Sequence, residues 1–273
     1  MNDNIVKARI AQSTQVLADR AQRLADWEAY GVKKLKIMAH GDSWFDYPRI
    51  LMTNGGVPDH LSKLLGVPIL NMAHAGDTTE TMLSIKKRKE LESHLPGKDI
   101  LLFSGGGDDI AGDQFCVWLN DNKGGGVNGA INQRRLNSVL DMVESTYLDL
   151  IEIRDELAPN CLIVTHSYDF AIPSDKGVCG LGPWLKPSLE YCGWTDPIQQ
   201  QAITQNVLMQ FQDLLAKIAE DEADLGHPHL HVNTQGTLAP GDWENEIHPN
   251  NVGFEKIALK IKAALEASPF ISI

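Results

Sequence analysis

Ile37-Met38-Ala39-His40-Gly41-Asp42-Ser43-Trp44-Phe45-Asp46-Tyr47-Pro48 is the stretch on which the fold turns. Lys36 to Ala39 reads as the end of a short buried strand, because an apolar run containing the β-branched Ile37 is bounded by a glycine. The chain must turn at Gly41. A serine just past the carboxyl end of a strand stands where open α/β sheets place their chemistry, in the crevice outside the strand ends. Taken alone, a serine after a glycine is more often an ordinary turn residue or helix N-cap, so the meaning of Ser43 depends on what else the fold brings there.

Outward from this stretch, strand and helix patterns alternate. Ile5 to about Tyr30 carries apolar residues three, four or seven apart and predicts an amphipathic helix, stopped by Gly31, that covers the domain or mediates self-association. Leu35–Ala39, Pro68–Asn71, Asp99–Phe103, Cys161–Thr165 and His229–Val232 read as strands. Between and after them, helices are expected over Pro58–Leu65, from Thr78 onward, from Leu136 past Ile151 to before Pro159, from Ile203 past Ile218, and from Val252 past Leu265, the last capped by Asn250 or Asn251. Such alternation implies one α/β domain over residues 1–273 with a parallel sheet covered on both faces. Two segments break the pattern. Gln114–Gly129 reads as a mobile loop, and residues 172–196, rich in glycine, proline and aromatics, as a functional loop or lid.

Bulk properties narrow the partners. A formal net charge of -12 argues against nucleic acid or an anionic membrane, and Lys86-Lys87-Arg88-Lys89, the one basic run, reads as the solvated face of a helix. Charged residues throughout the first twenty positions predict neither a secretory signal nor a membrane span, so a cytoplasmic location is expected. Cys116, Cys161, Cys179 and Cys192 are too scattered for a disulfide scaffold or zinc, although Cys179 and Cys192 bracket one loop. No glycine-lysine-serine/threonine sequence follows either glycine cluster, which disfavours a phosphate loop. His227, His229 and His231 share a strand face without acidic neighbours in sequence, and no metal is expected.

Three further segments give Ser43 its context: Asn71-Met72-Ala73-His74-Ala75-Gly76-Asp77, Phe103-Ser104-Gly105-Gly106-Gly107-Asp108-Asp109-Ile110 and Asn245-Glu246-Ile247-His248-Pro249-Asn250. With Gly41-Asp42-Ser43 they resemble, in order, the four sequence blocks of the GDSL/SGNH hydrolases. Two positions depart from the pattern: Asp108 stands where the family has asparagine, and Asn245 where it has aspartate. The resemblance implies a three-layer α/β/α, flavodoxin-like sheet of five parallel strands and a serine esterase that needs no cofactor. It also implies that Ser43 is the nucleophile, that His248 is the base, and that the Ser43 and Gly76 amides and the Asp108 side chain form the oxyanion hole.

Ester hydrolysis by serine needs a base, a group that orients the base, and donors where the carbonyl oxygen becomes negative. An ionised Asp108 would repel that oxyanion, whereas a protonated one would donate to it; burial near Asp42 or Asp109 could hold the proton in place. For the partner of His248 the candidates are Asn245 acting through its oxygen, then Asp242, then none. Trp44, Phe45, Trp184 and Trp194 fall in loop segments and either wall a small-molecule ester site or form small cores beneath the loops. His40, His74 and His166 border the crevice and read as hydrogen-bonded supports. The rival to an enzyme is a binding protein that kept the fold after Asp108 and Asn245 eroded its machinery. The acyl and alcohol groups and the oligomeric state are not legible in the residues.

Overall fold

The computed structural model describes residues 35–47, 55–177 and 181–271; the helix expected over residues 5–30, and Cys179, lie outside them. In chain order the elements are β1 (Ile37–Gly41), α1 (Val57–Leu65), β2 (Ile69–Asn71), α2 (Thr79–Met82), α3 (Ile85–His94), β3 (Ile100–Ser104), α4 (Gly107–Ile110), α5 (Gln133–Leu157), β4 (Leu162–His166), α6 (Leu185–Tyr191), α7 (Pro197–Asp224), β5 (His229–Val232) and α8 (Asn251–Ala267). The five strands form one sheet in the order β2-β1-β3-β4-β5, every pair parallel.

Every residue of β1, β3 and β4 is buried, which is why these strands are continuous apolar runs and do not alternate. Helices α1 and α8 pack together as one outer layer, and α5 and α7 pack together as the other, giving the three-layer arrangement. Local sequence sets the helix starts: Asn132, Asp196 and Asn250 each accept backbone N–H bonds at the entrances of α5, α7 and α8. The helix expected after Thr78 is interrupted at Leu83–Ser84 and becomes α2 and α3. The segment read as a mobile loop, 114–129, carries two 3-10 turns (Asp113–Trp118 and Val127–Gly129); its Phe115 is buried and its Asn122 amide donates to Cys192 O.

Strand order reverses direction between β1 and β3, so the segments leaving these two strands diverge and open a crevice at the carboxyl edge. Gly41 is required at that edge. Its φ is 154°, and a Cβ there would lie 2.3 Å from the Ser104 carbonyl oxygen, which accepts the Asp42 amide at 3.0 Å.

Candidate active site

The nucleophile loop, the turn after β3 and the entrance of α8 meet at this edge. Ser43 Oγ lies 2.7 Å from His248 Nε2, although the two are 205 residues apart in sequence. Asn250 and α8 hold the imidazole from behind, through the cap bonds to Val252 and Gly253. In front, the Trp44 indole N–H donates to Ile247 O at 2.9 Å and ties the nucleophile loop to the histidine loop.

Asn245 settles the protonation pattern. Its Oδ1 accepts the backbone amides of Ile247 (3.1 Å) and His248 (3.0 Å) and faces His248 Nδ1 at 3.0 Å. Two converging N–H groups admit only an oxygen at that position, so the amide cannot be flipped. Nδ1 must then carry the proton and donate to Oδ1, which leaves Nε2 free to accept from Ser43. Asp242 is engaged elsewhere, with the Lys256 ammonium (2.6 Å) and the Ala239 amide (2.7 Å). Burial, with no carboxylate beside it, holds the His248 pKa down at about 3, so the ring is neutral across the physiological range.

Three carboxyl groups lie beside this pair, each in a different setting. Asp109 is bonded to the Thr79 amide (2.9 Å) and hydroxyl (2.8 Å). Asp42 accepts from Trp44 N (3.0 Å), Ser104 Oγ (2.9 Å) and the Tyr168 hydroxyl. Asp108 is different: its buried Oδ2 has no hydrogen-bond partner, and the residue lines the same cavity as Ser43 and His248. Burial first, and then the charges of Asp42, Asp109 and Asp77, raise the Asp108 carboxyl to about 8. Burial raises Asp42 to about 7 against the opposing effect of its donors.

The cavity measures about 30 Å³, on the order of one or two water molecules. Its apolar wall is small: Ala111, Ala171, Leu208 and Ile247, with Trp44. Gly76, in the turn after β2 with φ 84°, is not among the residues that line it. Of the aromatic residues read as a substrate wall, Phe45 is 1% exposed and stacks on His166, and Trp194 is 2% exposed with its N–H donated to Asn120 O. Neither ring presents a face to the cavity; both are core, because the loops above them are packed rather than open. Trp44 is also buried, whereas half-buried Trp184 places its ring edge-on to His248 at 5.7 Å.

Glu246 has a role that its sequence position concealed. Its buried carboxylate accepts the amides of Ser174 (2.8 Å), Leu185 (2.7 Å), Lys186 (2.9 Å) and Trp184, so it caps α6 and fastens segment 172–196 to the histidine loop. His40 and His166 are buried, bonded respectively to Met82 O (3.0 Å) and Ser104 Oγ (2.9 Å), while His74 is exposed and pairs with Asp77 at 3.6 Å. Elsewhere the fold sets Asp155 and Glu222 beside His227, with ligand atoms within 4.8 Å of one another. The fully buried Arg154 guanidinium pairs with both carboxylates and gives the cluster the character of an ion-pair network. His229 and His231 turn instead toward Thr165. Cys116, Cys161 and Cys192 are free thiols. Among the described residues no helix is long and apolar enough to cross a membrane.

No family model matches the chain, and no curated protein matches it by sequence. Its fold, however, is similar to that of solved structures. The lipase Lip_vut3 from a goat rumen metagenome shares 13% identity at a TM-score of 0.53, covering 85% of this chain and 97% of that one. A lipase from Streptomyces rimosus shares 17% at 0.50, covering 85% and 100%. A protein described as an SGNH hydrolase, from Slackia heliotrinireducens, shares 12% at 0.50, covering 85% and 99%. At these identities the likeness concerns the fold, which is that of the SGNH hydrolases.

Proposed function

We propose that the chain is a serine hydrolase that cleaves a carboxylic ester carrying a short acyl group. One observation carries this reading: Ser43 Oγ, His248 Nε2 and Asn245 Oδ1 are joined through the imidazole at 2.7 and 3.0 Å, with every proton directed for transfer from Ser43 to the ring. The family resemblance and the lipase names borne by neighbours of the same fold support the choice of an ester over other acyl compounds.

In the proposed reaction His248 Nε2 takes the Ser43 proton as Oγ attacks the ester carbonyl. The oxyanion is met by the Ser43 amide and by Asp108, whose carboxyl at about 8 still holds its proton near neutrality and can donate. Gly76 lies outside the cavity wall, so the proposal rests on the other two donors. The alcohol leaves with the proton from His248. Water then adds to the acyl-enzyme by the same route and releases the acid.

Turnover of p-nitrophenyl acetate tests the reading. Wild type should hydrolyse it, and Ser43→Ala and His248→Ala should each lose at least about a thousandfold in kcat/KM. A folded wild-type sample no faster than those variants points instead to a binding protein on an esterase fold.

A further inference from the structure

Among the described residues Tyr168 is the one non-glycine residue with positive φ, at 56°. For a bulky side chain this backbone is unfavourable, so the strain marks a place where surrounding contacts hold the chain against its preference. The contacts are at the other end of the side chain. Fully buried among Trp44, His166 and Phe211, the ring delivers its hydroxyl to Asp42, and that oxygen in turn accepts the Gly107 amide at 3.3 Å. The nucleophile loop and the segment bearing Asp108 are therefore joined through one phenol.

The direction of every proton in this network can be read off. The Tyr168 amide donates to His166 Nδ1 at 3.2 Å, so the imidazole proton sits on Nε2 and is donated to Ser104 Oγ at 2.9 Å. The serine hydroxyl has two acceptors, the nearer Asp42 Oδ1 at 2.9 Å and the Tyr168 oxygen at 3.2 Å, and donates to the carboxylate; Trp44 N donates to the same Asp42 oxygen at 3.0 Å, and Tyr168 donates to Oδ2. All donors terminate on Asp42 and none terminates on Asp108. A carboxyl that receives three donors is stabilised as the anion, and a neighbouring carboxyl that receives none is the one that keeps a proton.

We propose that Tyr168 is a positioning residue that assigns the order in which the site's carboxyls ionise: its hydroxyl makes Asp42 the first of the pair to lose its proton, and the resulting anion holds the proton on Asp108. This rests on Asp108 acting as a neutral donor. Asp42 also faces Asp109 from α4 and Tyr147 from α5, and Asp108 faces Asp109 and Asp77. Of these, Asp109 is fixed by Thr79 and Asp77 pairs with Lys87 at 3.2 Å, so neither depends on Tyr168.

Removing the hydroxyl should thus act on Asp108 through Asp42. In Tyr168→Phe, Asp42 keeps its proton to higher pH, the negative neighbour of Asp108 disappears, and Asp108 ionises earlier. The test is the pH profile of kcat/KM for wild type, Tyr168→Phe, Asp108→Asn and the double variant. Wild type should lose activity as pH rises through about 8, and Asp108→Asn should be faster and lack that fall. Tyr168→Phe should show the fall displaced downward by about one pH unit, and the double variant should show none. Should Tyr168→Phe not fold, Ser104→Ala removes another Asp42 donor and should move the fall in the same direction. A fall that vanishes in Asp108→Asn yet stays in place or moves upward in the Asp42-donor variants overturns this inference alone. A fall that survives Asp108→Asn overturns the donor role of Asp108, and the inference with it.

Discussion

Asn245 Oδ1 and His248 Nδ1 lie 3.0 Å apart in a pairing that is neutral on both sides. An amide oxygen orients the imidazole and fixes its tautomer but would do little to stabilise the imidazolium formed in the proposed proton transfer from Ser43. The low basicity of His248 follows from that and from burial. A base this weak is far from the optimum near the working pH.

Asn245→Asp should therefore be a gain. The carboxylate keeps the acceptor for all three N–H groups and adds a charge beside the ring, which should raise His248 basicity by about one to three pH units. The expected result is an acid limb of kcat/KM moved to higher pH and a kcat raised on the order of tenfold, measured at a pH above both limbs. Asn245→Leu, which leaves those donors facing an apolar group, should lose activity at every pH.

Glu246→Gln tests whether Ser174 and the entrance of α6 are fastened to the histidine loop as described. A glutamine has one acceptor oxygen where the carboxylate serves four amides, and its NH₂ would face backbone N–H groups. The variant should show faster amide hydrogen exchange at Ser174 and Trp184–Lys186 and a KM raised several-fold for small esters, while Ser43 still reacts. Unchanged exchange at those amides would contradict the assignment.

Stability should peak close to pH 6.5. His166, His229 and His248 are held down at about 3 and His231 at about 4, mainly by burial, against an ordinary 6.5. Below pH 6.5 the unfolded chain takes up protons that the fold refuses, so stability is lost as pH falls from about 6.5 toward 3. Asp42 and Asp108 act with the opposite sign: raised to about 7 and 8 from 3.8, they keep protons in the fold that the unfolded chain has released, and stability is lost as pH rises from about 4 to 8. Below about 6.5 the four histidines outweigh the two carboxyls; above it the histidine contribution fades and the carboxyls dominate. Thermal denaturation followed from pH 5 to 8.5 should give the highest Tm at an interior pH near 6.5, and a Tm rising steadily to pH 8.5 would contradict these assignments.

Cavity size predicts chain-length selectivity. With Ala111, Ala171 and Leu208 among the lining residues of a small, partly open cavity, kcat/KM for p-nitrophenyl esters should fall from acetate to butyrate to octanoate. Leu208→Ala removes side-chain volume from the wall and should favour butyrate relative to acetate, by roughly 1–3 kcal/mol at most in relative transition-state energy.

Much of this was legible in the residues, for identifiable reasons. Ile100–Phe103 is a continuous apolar run because β3 is covered on both faces, and Asn250 marks the entrance of α8 because its side chain caps it. Four short segments in order led to Ser43, Gly76, Asp108 and His248 at one sheet edge; Ser43, Asp108 and His248 line one cavity there, and Gly76 is outside its wall. What escaped depends on contacts no local pattern encodes. Tyr168 follows β4 without a motif, and its importance lies in a backbone strain and a hydroxyl that only the fold aims at Asp42. Glu246 was one of several acids near His248 in sequence, yet its carboxylate faces the other way. Phe45 and Trp194 sit in segments without periodicity, so the residues alone left a substrate wall and a small core beneath the loops both open; both are core.

The central claim is that Ser43 is activated by His248. Fluorophosphonate labelling read by mass spectrometry of the peptide tests it most directly, since it needs no knowledge of the substrate. The account predicts one adduct on Ser43 in wild type, strongly slowed labelling in His248→Ala, and none in Ser43→Ala. A folded wild-type protein that stays unlabelled, or that labels equally well without His248, would contradict it.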